Sequence, residues 1–202
     1  TLLDHTQINT GTSGDVNFGT VDGRHYLSIE AGDGRIDFFG ALGSTTPLQH
    51  LNLISAAAVE ALDTLAIDGT GTGFFSGGAA GLYIGPAVDN VNISQPGSTI
   101  TNAYLDGIWV DGGLANSTIG GFTITNSGES GVLVTAGNYT GSTFSNITVT
   151  GSKYDGFAAY EADGLSVTDS EFSFNADDGI HFDGVSNATA QNNVIGNNDF
   201  YG

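Results

Sequence analysis

From residue 81 onward one short pattern keeps returning, a glycine followed by alternating large apolar residues. It reads Gly81-Leu-Tyr-Ile, Gly107-Ile-Trp-Val, Gly131-Val-Leu-Val, Gly156-Phe-Ala-Ala-Tyr and Gly179-Ile-His-Phe. The intervals are 26, 24, 25 and 23 residues. Between these glycines lie further period-two runs: Val91-Asn-Ile93, Phe122-Thr-Ile124, Ile147-Thr-Val149, Leu165-Ser-Val167, Phe172-Ser-Phe174 and Val194-Ile195. Each repeat thus holds two or three short strands, split by Gly, Asn, Asp and Ser that suit tight turns. A unit of this size cannot close its own apolar face, so it must stack on copies of itself.

The arrangement predicted is all-β, a right-handed parallel β-helix of about eight coils with roughly 24 residues each. Equivalent strands pair in parallel at about 4.8 Å, and Ile108, Val132, Phe157 and Ile180 then form one inward apolar column. Asn102, Asn126, Asn175 and Asn198 fall four or five residues before the repeat glycine, with Gly151 in the same place in the remaining coil. That spacing predicts an Asn ladder that satisfies turn backbone.

These repeats resemble the right-handed parallel β-helix family, the architecture of pectate lyases, polygalacturonases, alginate epimerases and many bacterial surface proteins. The resemblance covers residues 78–202. Residues 1–77 instead show short alternating strands about ten residues apart, at Val16-Asn-Phe18, Leu27-Ser-Ile29, Ile36-Asp-Phe38, Leu51-Asn-Leu53 and Leu65-Ala-Ile67. The stretch from Gly23 to Leu48 is similar to the strand repeats of large secreted adhesins of the filamentous-haemagglutinin type. Ser55 to Leu65 allows two readings. Its Ala, Leu and Glu content suits a helix with Val59, Leu62 and Ala66 on one face, whereas the strands on both sides favour strand. No composition break separates the two parts, so one continuous solenoid over 1–202 is expected.

Asp and Glu number 22 against 3 Lys and Arg, a formal charge of −19. A polyanion meets almost no cation here, which excludes nucleic acid as a partner and disfavours anionic membranes. No run reaches the 18 apolar residues of a membrane span, so no insertion is expected. The absence of Cys removes disulfides and thiolate chemistry. Acidity together with Asn/Ser/Thr/Gly-rich surface chemistry suggests an extracellular or cell-surface setting. Asn-x-Ser/Thr triplets at Asn92, Asn116, Asn138, Asn146 and Asn187 are expected by chance in such a composition. The chain starts without Met or a signal-like stretch and stops at Gly202, where the next coil is due. It therefore reads as an excerpt that continues into neighbouring coils of a longer protein.

Two acidic columns follow from the repeat. Asp106, Asp155 and Asp178 precede repeat glycines, and Asp111, Glu161 and Asp183 follow them by four or five residues. Stacked carboxylates repel unless water, protonation or a cation intervenes, and hard oxygen ligands suit Ca²⁺. The alternative is ordinary Asp-Gly turn chemistry in solvent. The nonapeptide calcium repeat is matched only in part, by Gly32 to Asp37.

The densest polar cluster is Lys153, Tyr154, Asp155, Glu161, Asp163, Asp177, Asp178, His181 and Asp183. Asp155 or Asp178 would act as acid or base, His181 or Tyr154 as proton carrier and Lys153 as charge stabiliser in uronide lyase, C5-epimerase or hydrolase chemistry. Asn175-Ala-Asp-Asp178 is loosely similar to polygalacturonase segments, and Tyr154-Asp-Gly-Phe157 to the opening of the alginate-epimerase motif. The Gly-His-Gly, Arg-Ile-Lys and Asp-Pro-His elements of those families are missing, and Arg24, Arg35 and Lys153 are few cations for an anionic glycan. A non-catalytic adhesive segment is therefore the first expectation, with a polysaccharide or cell-surface partner and no required cofactor. Tyr83 and Trp109, repeat-equivalent and outward, are candidate sugar-stacking residues, with packing under a turn or flanking loop as the alternative. His5, His25 and His50 are scattered in sequence without zinc spacing and read as surface or turn residues.

Overall fold

The structure, a computed structural model, describes residues 1–70 and 80–200. Gly202, where the next coil was expected to begin, and the 77–78 boundary between the two styles of repeat lie outside the described residues.

Among the described residues two sheets of eight strands run the length of the solenoid and one of six joins them from Ala66 onward, and all strand pairs within them are parallel. The first sheet begins at Thr6–Asn9 and passes through Leu82–Val88, Ile108–Val110, Val132–Val134 and Phe157–Tyr160 to Ile180–Asp183. The second runs from Val16–Phe18 to Thr189–Gln191, and the third from Ala66–Asp68 to Val194–Gly196. In the first coils the third side is held by isolated bridges alone, Val21 to Leu42 and Leu42 to Leu65. Coils of the first part pair directly with those of the second, Leu51 with Leu82 and Val59 with Val91.

Inward positions alternate as expected. Leu82, Ile108, Val132 and Phe157 are fully buried and stack in register, and Ile180 in the following coil is half-buried. Burying a column of such side chains contributes roughly 1.5–3 kcal/mol each, which is what makes stacking obligatory. Ser55 to Leu65 forms no helix: His50–Ala56 and Ala58–Ala61 are strands that carry it around a corner. Val59 is buried while Leu62 is exposed, so the helical face expected for the pair does not form.

The repeat glycines are there for space rather than for a left-handed backbone. A Cβ on Gly107 would lie 2.4 Å from Ile124 Cγ2 and 2.5 Å from the Gly131 carbonyl, and one on Gly131 would lie 2.2 Å from Val149 Cγ1. Left-handed residues instead mark the corners. Asn90, Asn116, Gly141, Gly164 and Asn187 occupy one corner column, and Gly121, Asn146, Asp169 and Asn192 a second. The third column is Asn102, Asn126, Gly151, Phe174 and Asn197. Asn and Gly tolerate positive φ, which accounts for the composition and places three of the Asn-x-Ser/Thr asparagines, Asn116, Asn146 and Asn187, at bends.

The expected Asn ladder is two columns, not one. Asn102 and Asn126 sit at the left-handed position, whereas Asn175 and Asn198 come one residue later, in line with Ser127 and Ser152. Asn198 Oδ1 accepts from the Asn175 backbone N–H at 3.0 Å and from its amide at 3.1 Å, and Asn175 Oδ1 accepts the Ser152 N–H at 3.1 Å. The four-or-five ambiguity in spacing is this one-residue step.

Candidate functional site

The corner between the third and first sheets is built in layers from the turn before each repeat glycine. Backbone bonds from Gly128 to Ala103, Lys153 to Ser127 and Ala176 to Ser152 hold successive turns together. So do those from Glu129 to Leu105 and Tyr154 to Glu129. Large rings stand exposed along this ribbon: Tyr104, Tyr154, Phe174 and Phe200, with Tyr160 beside them on the first sheet. Open grooves follow the same corner. One, of about 540 Å³, takes in Tyr104, Asn102, Asn126, Glu129 and Lys153. The next, of about 370 Å³, shares Glu129 and adds Asp106, Ser130, Tyr154, Asp155, Tyr160, Asp177 and His181. A further one shares Lys153 and is edged by Phe174.

Asp106, Ser130, Asp155 and Asp178 occupy equivalent turns, so the first acidic column is interrupted: Ser130 separates Asp106 from Asp155, and only Asp155 and Asp178 are in adjacent coils. The carboxylates cap the turn that follows. Asp106 Oδ1 accepts the Ser130 N–H and Asp155 Oδ1 accepts the Asp178 N–H, each at 3.0 Å. This is the turn chemistry that Asp before Gly also allowed. Asp106 is 1% exposed and its Oδ2 has no partner. Burial first, then the Glu129 charge, pushes its carboxyl up to about 7, against the Ser130 hydrogen bond. Burial likewise raises Asp155, while the Asp178 N–H and His181 oppose that.

The second acidic column does not form. Asp111 and Asp183 share a register but Thr135 and Tyr160 stand between them, and Glu161 falls one position later at a left-handed bend. Asp111 is taken up by donors instead, from Tyr83 Oη at 3.0 Å and Thr135 Oγ1 at 3.2 Å.

His181 is on the outward side of Ile180–Asp183, in register with Ala158, and its Nδ1 lies 3.1 Å from Asp178 Oδ2. That bond first of all raises the imidazole pKa, with Asp155, Asp178 and Asp183 adding to it against burial. The Tyr160 ring is tilted over it at 5.5 Å. Asp155, Asp178 and His181 each place one ligating atom within 4.8 Å of the others. Asp155, Asp178 and His181 therefore meet at one spot, and Tyr154 lines the groove that Asp155 and His181 border. Lys153 does not join them, because its turn position faces the neighbouring grooves with Tyr104 and Phe174. Sequence reasoning passed over Glu129, Tyr160 and Tyr104. Alignment on the repeat glycine carries the signal for one of these, since Leu105, Glu129, Tyr154 and Asp177 all stand two residues before it.

Tyr83 and Trp109 pair in adjacent coils, edge to face at 5.2 Å, and both are half-buried. The Tyr83 hydroxyl, held by Asp111, has its pKa pushed up to about 12 by burial and then by that bond. Trp109 Nε1 is buried without a partner. The pair belongs to the packed outer face of the first sheet more than to an open platform. His5, His25 and His50 are not scattered in space. His5 stacks on Tyr26 at 3.9 Å and meets His25 at 5.4 Å, and Tyr26 meets buried His50 at 4.6 Å.

No curated protein and no solved structure matches the chain. A family model described as a right-handed β-helix region matches residues 67–202, and with the parallel coils above it shows that the chain belongs to the right-handed β-helix family.

Proposed function

We propose that this solenoid is a non-catalytic adhesive segment of a secreted or cell-surface bacterial protein that binds a polysaccharide along its tyrosine-edged corner. The observation that carries the reading is the row of exposed rings Tyr104, Tyr154, Phe174 and Phe200 beside adjoining grooves. Aromatic faces stack on the apolar faces of sugar rings, and carboxylates such as Glu129 and Asp177 accept sugar hydroxyls. The repeated build lets one chain lie across several coils. Cations are few there: Arg35 is paired with Asp37 at 3.0 Å and Glu60 at 3.4 Å, and Arg24 donates to Thr70. Among the described residues Lys153 is the one Lys or Arg that lines these grooves, so a neutral glycan suits the corner better than a polyuronate. The adhesin-like stretch from Gly23 to Leu48 agrees with this setting.

A second reading is favoured by one contact, the bond between His181 and Asp178 beside Asp155. An imidazole oriented by one carboxylate, next to another whose pKa is raised, is acid–base equipment for glycoside hydrolysis or uronide chemistry. Neutral and uronate oligosaccharides incubated with the protein separate the two. Binding without new reducing ends, unsaturated products or epimerised residues supports the adhesive reading. Turnover that disappears in His181→Ala contradicts it.

A further inference from the structure

The geometry points to a site for one divalent transition-metal ion, of the zinc class, formed by Asp155, Asp178 and His181, whether or not a glycan is the ligand of the groove. Three ligating atoms within 4.8 Å of one another need only a small closure to share an ion with bonds of roughly 2.0–2.2 Å. The His181 Nδ1 to Asp178 Oδ2 distance of 3.1 Å is already that of two ligands on one tetrahedral centre. The metal takes the place of the proton that bridges these two atoms; from the imidazolium that proton is released to solvent, and in the neutral ring it moves to Nε2.

The scaffold fixes the ligands before any ion arrives. Asp155 is 6% exposed and its Oδ1 is held by the Asp178 N–H, which leaves Oδ2 for the ion. Parallel pairing of Phe157–Tyr160 with Ile180–Asp183 fixes the step between the coils. Among the described residues no Lys or Arg forms an ion pair with Asp155, so a cation would relieve a buried carboxylate that has only the Asp178 N–H and the His181 imidazole to favour its charge.

Donor type chooses the ion. One imidazole with two carboxylates, and a fourth position open to the groove, is a donor set of the zinc kind; Ca²⁺ takes six to eight oxygens. Ser130, Thr135 and Tyr160 interrupt both acidic columns and leave Asp155 and Asp178 as the one stacked pair of them, fewer oxygens than Ca²⁺ takes. The other His-containing group, Asp4, His5 and His25, also places its atoms within 4.8 Å. There His5 Nδ1 accepts the Tyr26 N–H at 3.1 Å, so an ion on that nitrogen would leave a backbone N–H without its acceptor.

The test is calorimetric titration and thermal melting of the full chain after chelator treatment, with Zn²⁺, Mn²⁺, Ca²⁺ or Mg²⁺ added at constant ionic strength. One Zn²⁺ per chain and a raised Tm are expected, with affinity at least tenfold weaker in His181→Ala and in Asp155→Asn. Asp155→Asn keeps the acceptor for the Asp178 N–H, so its fold is preserved, and His25→Ala should bind as the parent does. The proposal is overturned if Zn²⁺ binds no better than to His181→Ala, if Ca²⁺ alone binds and His181→Ala is unaffected, or if His25→Ala removes the binding.

Discussion

Asp106 and Asp155 perform the same backbone task two coils apart, each accepting at 3.0 Å the N–H of the residue that occupies its own position in the next coil. Their surroundings then separate them. Asp155 has His181 among the groups that favour its charge, whereas Asp106 is buried beside Glu129 with an unpartnered Oδ2. One turn device thus serves a carboxylate whose charge His181 favours and another whose charge burial and Glu129 disfavour.

Asp106 makes stability depend on pH in a definable window. Its carboxyl titrates near 7 in the folded protein and near its ordinary value of 3.8 when unfolded. Between these the folded state keeps a proton that the unfolded chain has lost. Raising pH through that window therefore removes stability, about 4 kcal/mol when complete. Asp106→Asn retains the acceptor for Ser130 without the charge. Its melting temperature should exceed the parent's at pH 8, with the gap shrinking by pH 5; an equal gap at both values would count against the buried charge.

Phe174 is the exception in its corner column, with φ of 58° where the other coils have Asn102, Asn126, Gly151 and Asn197. A bulky residue in that region costs on the order of 1 kcal/mol. Its side chain is 64% exposed, so packing does not offset the strain. Phe174→Asn should stabilise the protein by about 1 kcal/mol in urea unfolding while weakening glycan binding. Loss of stability would show that the ring is held by contacts instead.

How legible the molecule is in its sequence follows from what repeats. Glycine spacing and period-two runs carry the coils and the inward column of Ile108, Val132 and Phe157, because crowding at each repeat glycine recurs in every turn. Single-residue steps are not carried by spacing. Asn175 falls into the column of Ser127 and Ser152 because Phe174 takes the left-handed bend that Asn126 takes elsewhere. Glu161 likewise misses the position of Asp111. The meeting of Asp155, Asp178 and His181 was readable as one turn of the repeat, whereas the gathering of His5, His25 and His50 was not. That gathering depends on first-sheet pairing of Tyr26 with His50, between coils whose repeat is irregular.

If the corner bearing Tyr104 and Tyr154 is the binding face, the Kd of a bound neutral oligosaccharide must respond to removal of its rings. Tyr104→Ala and Tyr154→Ala should each weaken binding about tenfold, the equivalent of ~1.4 kcal/mol, with folding unchanged. Phe39→Ala removes a ring that is 59% exposed and borders none of these grooves, and should leave Kd as it was. Equal Kd values for the parent, Tyr104→Ala and Tyr154→Ala, or a loss confined to Phe39→Ala, would contradict the account.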